Sequence, residues 1–309
     1  MMAQTKGRVV VKTLRFVVSA ALVALAASCS TTKISAAHYY LCIGIADYKY
    51  ASALTYPAED AKSMAELLSS GGWEIPPTAA TVPACADGLL LNDEATKTGI
   101  GQAIQTCFAG AEADSTIFVY FSGHGIYDDS TGSSCMAPYD FNWGTSDGIS
   151  PAELYGWFAS LPTKNIIFIS DSCFSGNFVY CTDSGDTIPP SYTDASGNTI
   201  FTLPLYVLSN FGSLLAKNAA ADGEPAPVAI SAAGAEEYAY DGDESQKHGV
   251  FTYYLLQAAE SGDSNGDGFV TCTEAYTYVA ACIDTYWNNK YSVFYPHISG
   301  GMRDLVLFM

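Results

Sequence analysis

The chain alternates between continuous apolar runs and segments whose apolar residues recur at helical spacing. Apolar runs of the kind found in strands buried on both faces lie at 39–48, 115–125, 165–173 and 227–234. Helical spacing marks 57–70, 96–111, 150–161 and 249–260. The alternation predicts an α/β fold with a mostly parallel central sheet and helices on both faces, an α/β/α sandwich.

One long segment interrupts this alternation. Residues 177–226 are rich in Ser, Thr, Asp, Gly and Pro and carry no sustained period. About fifty residues are too many for a simple connection inside a compact domain, so we interpret the segment as functional or processed.

The first 29 residues differ in kind from the rest. Four basic residues come first, and the apolar residues 16–27 follow. This order is typical of an export signal, and the apolar part is too short for a stable spanning helix. The small residues of "LAASC" before Cys29 resemble a bacterial lipoprotein signal, which implies lipidation of Cys29 and a membrane anchor. Ordinary secretion with cleavage nearby is the alternative, and both routes export the protein to the envelope or beyond.

Charge narrows the choice of partners. The chain carries a net charge of −19, and removal of the leader would leave nine basic against 32 acidic residues, a net charge of −23. A nucleic-acid partner is therefore not expected, whereas cationic peptides and divalent cations are attracted. Acidic charge that only keeps an exported protein soluble explains the same total.

The nine cysteines do not define a disulfide framework. Cys29 and Cys173 have other candidate roles, which leaves seven, an odd number. Cys42 lies inside the apolar run "YYLCIGIA" and is expected to be a buried thiol.

Two of the strand-like runs end in reactive side chains. His124 follows one run in "FSGHG", and Cys173 follows another in "DSCFSG", 49 residues further along. Parallel strands end at the same sheet edge, where a neutral imidazole takes the thiol proton and the thiolate is the nucleophile. The amides of Gly125 and Cys173 are candidate donors to an oxyanion. A cysteine or a histidine alone at such a position is more often structural. The pair, separated by the roughly fifty residues expected for caspase-type enzymes, is a far more specific signal of a catalytic dyad.

These motifs, with "LCIGIADYKY", "YPAEDAKSMAELL", "PVAISAAGAEEYAYDG" and "HGVFTYYLL", resemble a caspase-fold cysteine peptidase of the metacaspase and paracaspase type. The resemblance covers roughly residues 38–260. The caspase motif with glutamine and alanine before the cysteine is absent, so specificity for aspartate is not implied. "DSCFSG" has Phe174 where metacaspases usually have histidine.

The resemblance implies roles for five residues. Cys173 would be the nucleophile and His124 the general base and acid of peptide-bond hydrolysis through an acyl-enzyme. Asp60 and Asp171 would form the floor of the pocket for the residue before the cleaved bond, and Ser231 would help to align the substrate backbone. Two carboxylates in a pocket favour a guanidinium or ammonium group, so cleavage after Arg or Lys is expected. The alternatives are a solvated helix residue for Asp60 and a turn-stabilising acid for Asp171.

Enzymes of this fold are often cut between the cysteine-bearing and the C-terminal portions. Lys217 is the only basic residue between Lys164 and Lys247. We therefore predict self-cleavage at Lys217. An ordinary surface lysine in an uncut lid is the alternative.

Residues 263–274, "DSNGDGFVTCTE", fit the spacing of an EF-hand loop. The expected Ca²⁺ ligands are Asp263, Asn265, Asp267, Phe269 through its carbonyl, Thr271 and Glu274. No second such loop follows, so one Ca²⁺ acting as a structural staple is expected, with calcium-dependent activation as the alternative and no organic cofactor. The acidic stretch 241–249 lacks this spacing and is interpreted as a solvated loop with His248 exposed.

The sequence thus predicts a leader at 1–29, a caspase-like peptidase domain at 30–260, and a calcium loop with a C-terminal helix and strand at 261–309 that complete the domain. The predicted partner is a peptide or protein substrate with a basic residue. A catalytically silent caspase-fold module that binds partners is the first alternative, and a plain calcium-binding surface protein is the second. No oligomeric state is indicated.

Overall fold

A computed structural model describes residues 36–76, 86–128, 133–142, 146–172, 191–193, 199–201, 227–234, 237–299 and 304–309. The predicted leader, Cys29, Cys173 and Lys217 lie outside these residues. Within the described ranges, no helix is both long and apolar enough to cross a membrane.

The fold is built on a six-stranded sheet. The strands within the described residues are β1 His38–Gly44, β2 Leu89–Leu91, β3 Thr116–Ser122, β4 Gly125–Asp128, β5 Ser133–Met136, β6 Asn165–Asp171, β7 Ser191–Thr193, β8 Thr199–Phe201, β9 Val228–Ser231, β10 Val270–Thr271, β11 His297–Ser299 and β12 Val306–Phe308. The order in the main sheet is β11-β9-β6-β3-β1-β2, with every pair parallel except β11 with β9. The mostly parallel sheet is thereby confirmed.

Helices cover both faces of this sheet. They are α1 Pro57–Ser70, α2 Lys97–Cys107, α3 Pro151–Ala159, α4 Val250–Ser261 and α5 Cys272–Cys282. Alternate residues of β1 serve opposite faces: Cys42 packs with the apolar side chains of α1, α4 and α5, and Leu41 packs with those of α2 and α3. Cys42 is a fully buried free thiol, as predicted.

Local signals fix the helix boundaries well. Ser150 caps α3 through a capping box with Glu153, and Pro151 occupies the first turn. α1 begins at Pro57 and ends before Gly71.

At Gly44 the end of β1 passes under α1 so closely that a Cβ atom would lie 2.3 Å from the Pro57 carbonyl oxygen.

Several short elements have no counterpart in the predicted pattern. β2 and β11 have three residues each, and β4 and β5 form an antiparallel pair directly after His124. β7 and β8 also pair within the segment 177–226, which carries no sustained period in the sequence. Strands of two to four residues are too short to show a period in the sequence.

Candidate active site

The site is organised by two neighbouring strand ends. The register of β3 with β6 pairs Ser122 with Asp171, and the Gly123 amide donates to the Asp171 carbonyl oxygen at 3.2 Å. His124 comes two residues after Ser122, and Cys173 comes two residues after Asp171. Cys173 itself lies outside the described residues. Parallel pairing thus brings the strand end before His124 beside the strand end before the cysteine.

The imidazole of His124 is held in one tautomer. Its Nε2 lies 2.8 Å from the backbone carbonyl oxygen of Ser52. A carbonyl oxygen only accepts hydrogen bonds, so Nε2 carries the proton of the neutral ring and Nδ1 has the free lone pair. Tyr48 supports this arrangement twice: its hydroxyl accepts from the His124 amide at 2.7 Å, and the two ring centroids are 4.8 Å apart.

The Gly125 amide is the described member of the predicted oxyanion pair. β4 and β5 pair Gly125 with Met136, and the adjoining bond runs from the Ala137 amide to the His124 carbonyl oxygen. In an antiparallel ladder this places Gly125 at a non-hydrogen-bonded pair, so the ladder does not use its amide. The amide thus meets the first requirement for an oxyanion donor.

Asp60 is buried in the first turn of α1, with 1% of its surface exposed. Its Oδ1 accepts from His248 Nδ1 at 2.8 Å and from the Gly249 amide at 3.2 Å. Its Oδ2 accepts from the Ser122 hydroxyl at 2.9 Å. The solvated-helix alternative for Asp60 is therefore wrong: this carboxyl group ties α1 to the end of β3 and to the start of α4.

Asp171 is held from α4. Its Oδ2 accepts from the Thr252 hydroxyl at 2.6 Å and from the Thr252 amide at 3.2 Å. The same hydroxyl lies 2.5 Å from the Tyr120 hydroxyl in the buried core. The last residue of β6 thus presents a buried carboxyl group whose position is set by the helix behind it.

The two carboxyl groups influence each other's charge. Burial, and after it the neighbouring Asp60, raise the pKa of Asp171 to about 7, while the Thr252 hydrogen bonds oppose the shift. Burial also raises the pKa of Asp60, which the bonds from His248 and Ser122 hold down. A buried negative charge becomes favourable once a cation joins it, so this pair favours a basic partner.

Asp241 is a third acidic group that sequence reasoning missed. Asp241 is exposed at the rim of the acidic group formed by Asp60 and Asp171. Its pKa is nevertheless raised, first because partial burial desolvates the carboxylate and second because Asp60 is close. Hydrogen bonds from Thr55 and the nearby His124 oppose that shift. Asp241 was interpreted only as part of a solvated acidic stretch, and no spacing in the sequence distinguished it from its neighbours.

The prediction that His248 is exposed is wrong. Its side chain is 16% exposed and bonds to Asp60. The cause is a fold-back of the acidic stretch: Asp241 and Gly249 form an antiparallel bridge, and the Gly242 amide donates to the His248 carbonyl oxygen at 2.8 Å. Within this stretch Asp243, Glu244 and Ser245 are exposed, as expected.

Ser231 ends β9 and is fully buried. Its backbone pairs with Ser170 of β6 on one side and His297 of β11 on the other. Its hydroxyl donates to the Ala233 carbonyl oxygen at 3.1 Å. Ser231 therefore shares a sheet edge with Asp171, and its side chain orders the end of its own strand.

The predicted calcium loop follows α4 and is ordered around Asp263. Asp263 Oδ1 accepts from the Gly266 amide at 2.7 Å, and Oδ2 accepts from the Gly268 amide at 2.9 Å. Asn265 accepts from the Asp267 amide at 2.8 Å. Both glycines have positive φ, at 77° and 89°, as a tight turn of this kind requires.

The remaining predicted ligands lie at the end of the loop. Glu274 accepts from the Ser264 and Thr271 hydroxyls at 2.8 and 3.0 Å, and Phe269 is exposed. No three acidic, histidine or cysteine side chains converge on a metal position within the described ranges. The oxygen-only donor set suits Ca²⁺, because amide, carbonyl and hydroxyl oxygens complete what the three carboxylates begin.

The loop is tied to the rest of the fold by the C-terminal strand. β10, inside the loop, pairs antiparallel with β12, and the Cys272 amide donates to the Leu305 carbonyl oxygen at 2.8 Å. β12 in turn accepts from the Trp73 indole through the Leu307 carbonyl oxygen at 3.1 Å. Trp73 packs edge-on against Phe118 of β3. A continuous set of contacts thus joins the loop to the central sheet.

Comparison with known proteins agrees with this architecture. A family model for the caspase domain matches residues 38–286. Among solved structures, caspase-1 from Spodoptera frugiperda is similar with a TM-score of 0.54 at 12% identity, over 88% of this chain and 89% of that one. Protein GSU0716 from Geobacter sulfurreducens is similar with a TM-score of 0.51 at 16% identity, over 85% and 92%. No curated protein matches the sequence. The predicted caspase-like fold is confirmed.

Proposed function

The chain belongs to the caspase-domain family of peptidases, and on that premise we propose that it is a cysteine endopeptidase with Cys173 as nucleophile and His124 as general base and acid. The observation that carries the proposal is the register of β3 with β6, because each candidate follows a paired strand end by two residues. The tautomer of His124 supports the same role, since its bond to Ser52 leaves Nδ1 to accept a proton.

The reaction follows from these roles. His124 Nδ1 takes the proton of the Cys173 thiol, and the thiolate attacks the carbonyl carbon of the scissile bond. The amides of Gly125 and Cys173 stabilise the resulting oxyanion. His124 then donates its proton to the leaving amine, which gives a thioester. Water activated by the same imidazole hydrolyses the thioester and restores the thiol.

We propose cleavage after Arg or Lys. Asp60 and Asp171 lie side by side next to the strand end that precedes His124, and Asp241 adds a carboxylate at the rim. Three acidic groups with raised pKa values gain from a cationic partner, and a guanidinium offers two parallel donors to a carboxylate. Ser231, at the same sheet edge, is proposed to align the substrate backbone.

The test is hydrolysis of matched fluorogenic peptides that end in Arg, Lys or Asp, by protein without its leader. We expect hydrolysis after Arg and Lys, and no hydrolysis by Cys173→Ala or His124→Ala. Cys282→Ala is the control, because it removes a free, half-buried thiol elsewhere in the chain and should retain activity. Silence on all three peptides by a folded protein would favour the catalytically silent binding module.

We also propose self-processing at Lys217. The support is the sequence alone, since Lys217 is the only basic residue between Lys164 and Lys247. Incubation of the full chain should release two fragments that separate near residue 217, and Lys217→Ala should remain intact. A cut at the same bond in Lys217→Ala, or in Cys173→Ala, would refute self-processing at this lysine.

We propose one Ca²⁺ in the loop 263–274, acting on stability first. Asp263, Asn265 and Asp267 would supply side-chain oxygens, Phe269 its carbonyl, Thr271 its hydroxyl and Glu274 its carboxylate. The contacts from the loop through β12 to Trp73 support a stabilising role, because they connect the loop to the sheet.

Thermal unfolding in Ca²⁺ and in chelator tests this role. An ion present at about one hundred times its Kd adds about 2.7 kcal/mol to the free energy of unfolding, so a higher Tm in Ca²⁺ is expected. Asp263→Ala should abolish the difference, whereas Asp243→Ala, in the other acidic stretch, should preserve it. An unchanged Tm in the wild type would exclude a stabilising ion, and chelator-sensitive hydrolysis would instead indicate activation.

Export with a lipid on Cys29 is proposed from the leader. The full chain expressed in bacteria should partition into membranes and take up labelled fatty acid. Cys29→Ala should be exported without label. A wild-type protein released in soluble form and without fatty acid would indicate ordinary secretion.

A further inference from the structure

The acidic pair proposed above to bind the basic side chain of the substrate already has a basic side chain of the protein against it. His248 Nδ1 lies 2.8 Å from Asp60 Oδ1. The Gly249 amide and the Ser122 hydroxyl also donate hydrogen bonds to the Asp60 carboxyl group, at 3.2 and 2.9 Å. Both oxygens of this carboxyl group therefore already have donors from the chain. A substrate cation that is to bind Asp60 finds an imidazole in that place.

The backbone fixes His248 in this position. The next residue, Gly249, is the N-cap of α4 and lies against both buried carboxyl groups. A Cβ atom there would come within 2.5 Å of Asp171 Oδ2 and 3.3 Å of Asp60 Oδ2. The bridge of Asp241 to Gly249 and the bond from the Val250 amide to the Tyr240 carbonyl oxygen, at 2.9 Å, hold the turn from outside. These contacts fix the backbone on both sides of His248, and its imidazole lies on Asp60.

Asp60, the partner of His248, is itself close to two other acidic groups. Asp60 is on α1, Asp171 ends β6 and Asp241 lies at the rim, with His124 as the other basic group near Asp241. An imidazole at this place satisfies part of the same negative charge that a substrate guanidinium or ammonium group would satisfy. The imidazole and a substrate cation would both donate a hydrogen bond to the same carboxyl group, so occupation by one disfavours the other.

We propose that His248 is a specificity-determining residue that competes with the basic side chain of the substrate for Asp60. It rests on the proposed function, since the pocket is the one assigned there to the residue before the cleaved bond. To bind, a basic substrate side chain must displace the imidazole from Asp60. This displacement weakens substrate binding but leaves the chemical step at Cys173 and His124 unchanged. His248 thus sets how strongly a substrate must bind before it is cleaved.

Kinetics with an Arg peptide test the proposal. Because the competing hydrogen bond to Asp60 is lost, His248→Ala is expected to lower KM by about tenfold with kcat nearly unchanged. His248→Asn keeps a neutral donor near the position of Nδ1 and should give an intermediate KM. It also serves as the test variant if the alanine variant does not fold. His38→Ala, a half-buried histidine at the start of β1 next to Glu74, is the matched control and should leave KM unchanged.

A binding measurement separates this proposal from the proposed function. Benzamidine carries the amidinium group without a scissile bond, and its Kd is measured by calorimetry on folded Cys173→Ala protein with and without His248→Ala. Tighter binding in the double variant supports the competition even if no peptide is cleaved. An unchanged or weaker Kd, or an unchanged or higher KM, overturns it, because His248 would then position Asp60 for the ligand rather than compete with it.

Discussion

Replacing Asp171 by asparagine is expected to make the protein more stable at alkaline pH, although Asp171 is a candidate substrate-binding residue. In the folded protein its carboxyl group is fully buried at the end of β6, next to Asp60, and its pKa is raised from 3.8 to about 7. The folded state therefore binds more protons than the unfolded state between about pH 4 and 7. The free energy of unfolding falls as pH rises through that window and levels off above it.

The size of the effect follows from the two pKa values. The pKa of Asp171 differs by about three units between the folded and unfolded states, and each unit corresponds to 1.36 kcal/mol. Ionisation of Asp171 therefore lowers the free energy of unfolding by at most about 4 kcal/mol at pH 8.5 and by about 1.6 kcal/mol at pH 5. The wild type should thus lose up to about 2.5 kcal/mol between these pH values through this one group. An asparagine side chain cannot ionise and can still accept from Thr252, so the Asp171→Asn protein should avoid that loss.

The assay is urea unfolding at pH 5 and pH 8.5 in a Cys173→Ala background, which prevents self-cleavage. The difference in free energy of unfolding between Asp171→Asn and its parent should grow with pH by up to about 2.5 kcal/mol. Asp114→Asn, at an exposed turn, is the matched control and should follow the parent. Parallel pH dependences for Asp171→Asn and its parent would refute a buried, partly protonated carboxyl group at the end of β6.

Three further substitutions test the surrounding structure. Thr252→Val removes a hydroxyl that lies 2.6 Å from Asp171 and 2.5 Å from Tyr120 and should lower the free energy of unfolding in urea by about 2–3 kcal/mol. The control Thr277→Val changes a half-buried residue of α5 whose hydroxyl donates to the Thr273 carbonyl oxygen of the same helix, and it should cost under about 0.5 kcal/mol. Equal costs would contradict the network. Tyr48→Phe removes the hydroxyl that accepts from the His124 amide at 2.7 Å and should lower kcat about tenfold at constant KM. The control Tyr286→Phe, at an exposed tyrosine, should leave kcat unchanged. Full activity of Tyr48→Phe would show that this bond does not position the imidazole. Gly44→Ala would place a Cβ 2.3 Å from the Pro57 carbonyl oxygen and should lower the free energy of unfolding by about 3 kcal/mol or more. The control Gly156→Ala, at an exposed position of α3, should raise the free energy of unfolding by about 0.5–1 kcal/mol. A Gly44→Ala protein as stable as the parent would exclude the close crossing of β1 and α1.

The main strands and helices could be predicted because their signals are local. The apolar run at 39–48 and the Ser150-Pro151 cap carry their structure in adjacent residues, and β1 and α3 form where these signals lie. Three-residue strands such as β11 depend on their partner instead, because β9 supplies the edge with which β11 pairs. No sequence period announces such a strand.

The same contrast holds at the site. The position of His124 beside a strand end could be predicted, because His124 follows β3 within a glycine turn. The role of His248 could not, since it depends on a partner 188 residues away and on a fold-back that brings the start of α4 against α1. Asp241 was missed for the same reason: its neighbours in the sequence are solvated acids, while its neighbours in space are Asp60 and Thr55.

The bond from the Trp73 indole to the Leu307 carbonyl oxygen links residues 234 positions apart, and this separation affects how the chain folds. Synthesis delivers residues in order, so the large apolar surface around Trp73 stays uncovered until β12 has emerged. Long-range pairings of this kind slow folding, because a large loop must close before the contacts stabilise it. The bond between Trp73 and β12 can therefore form only after almost all of these residues have been made.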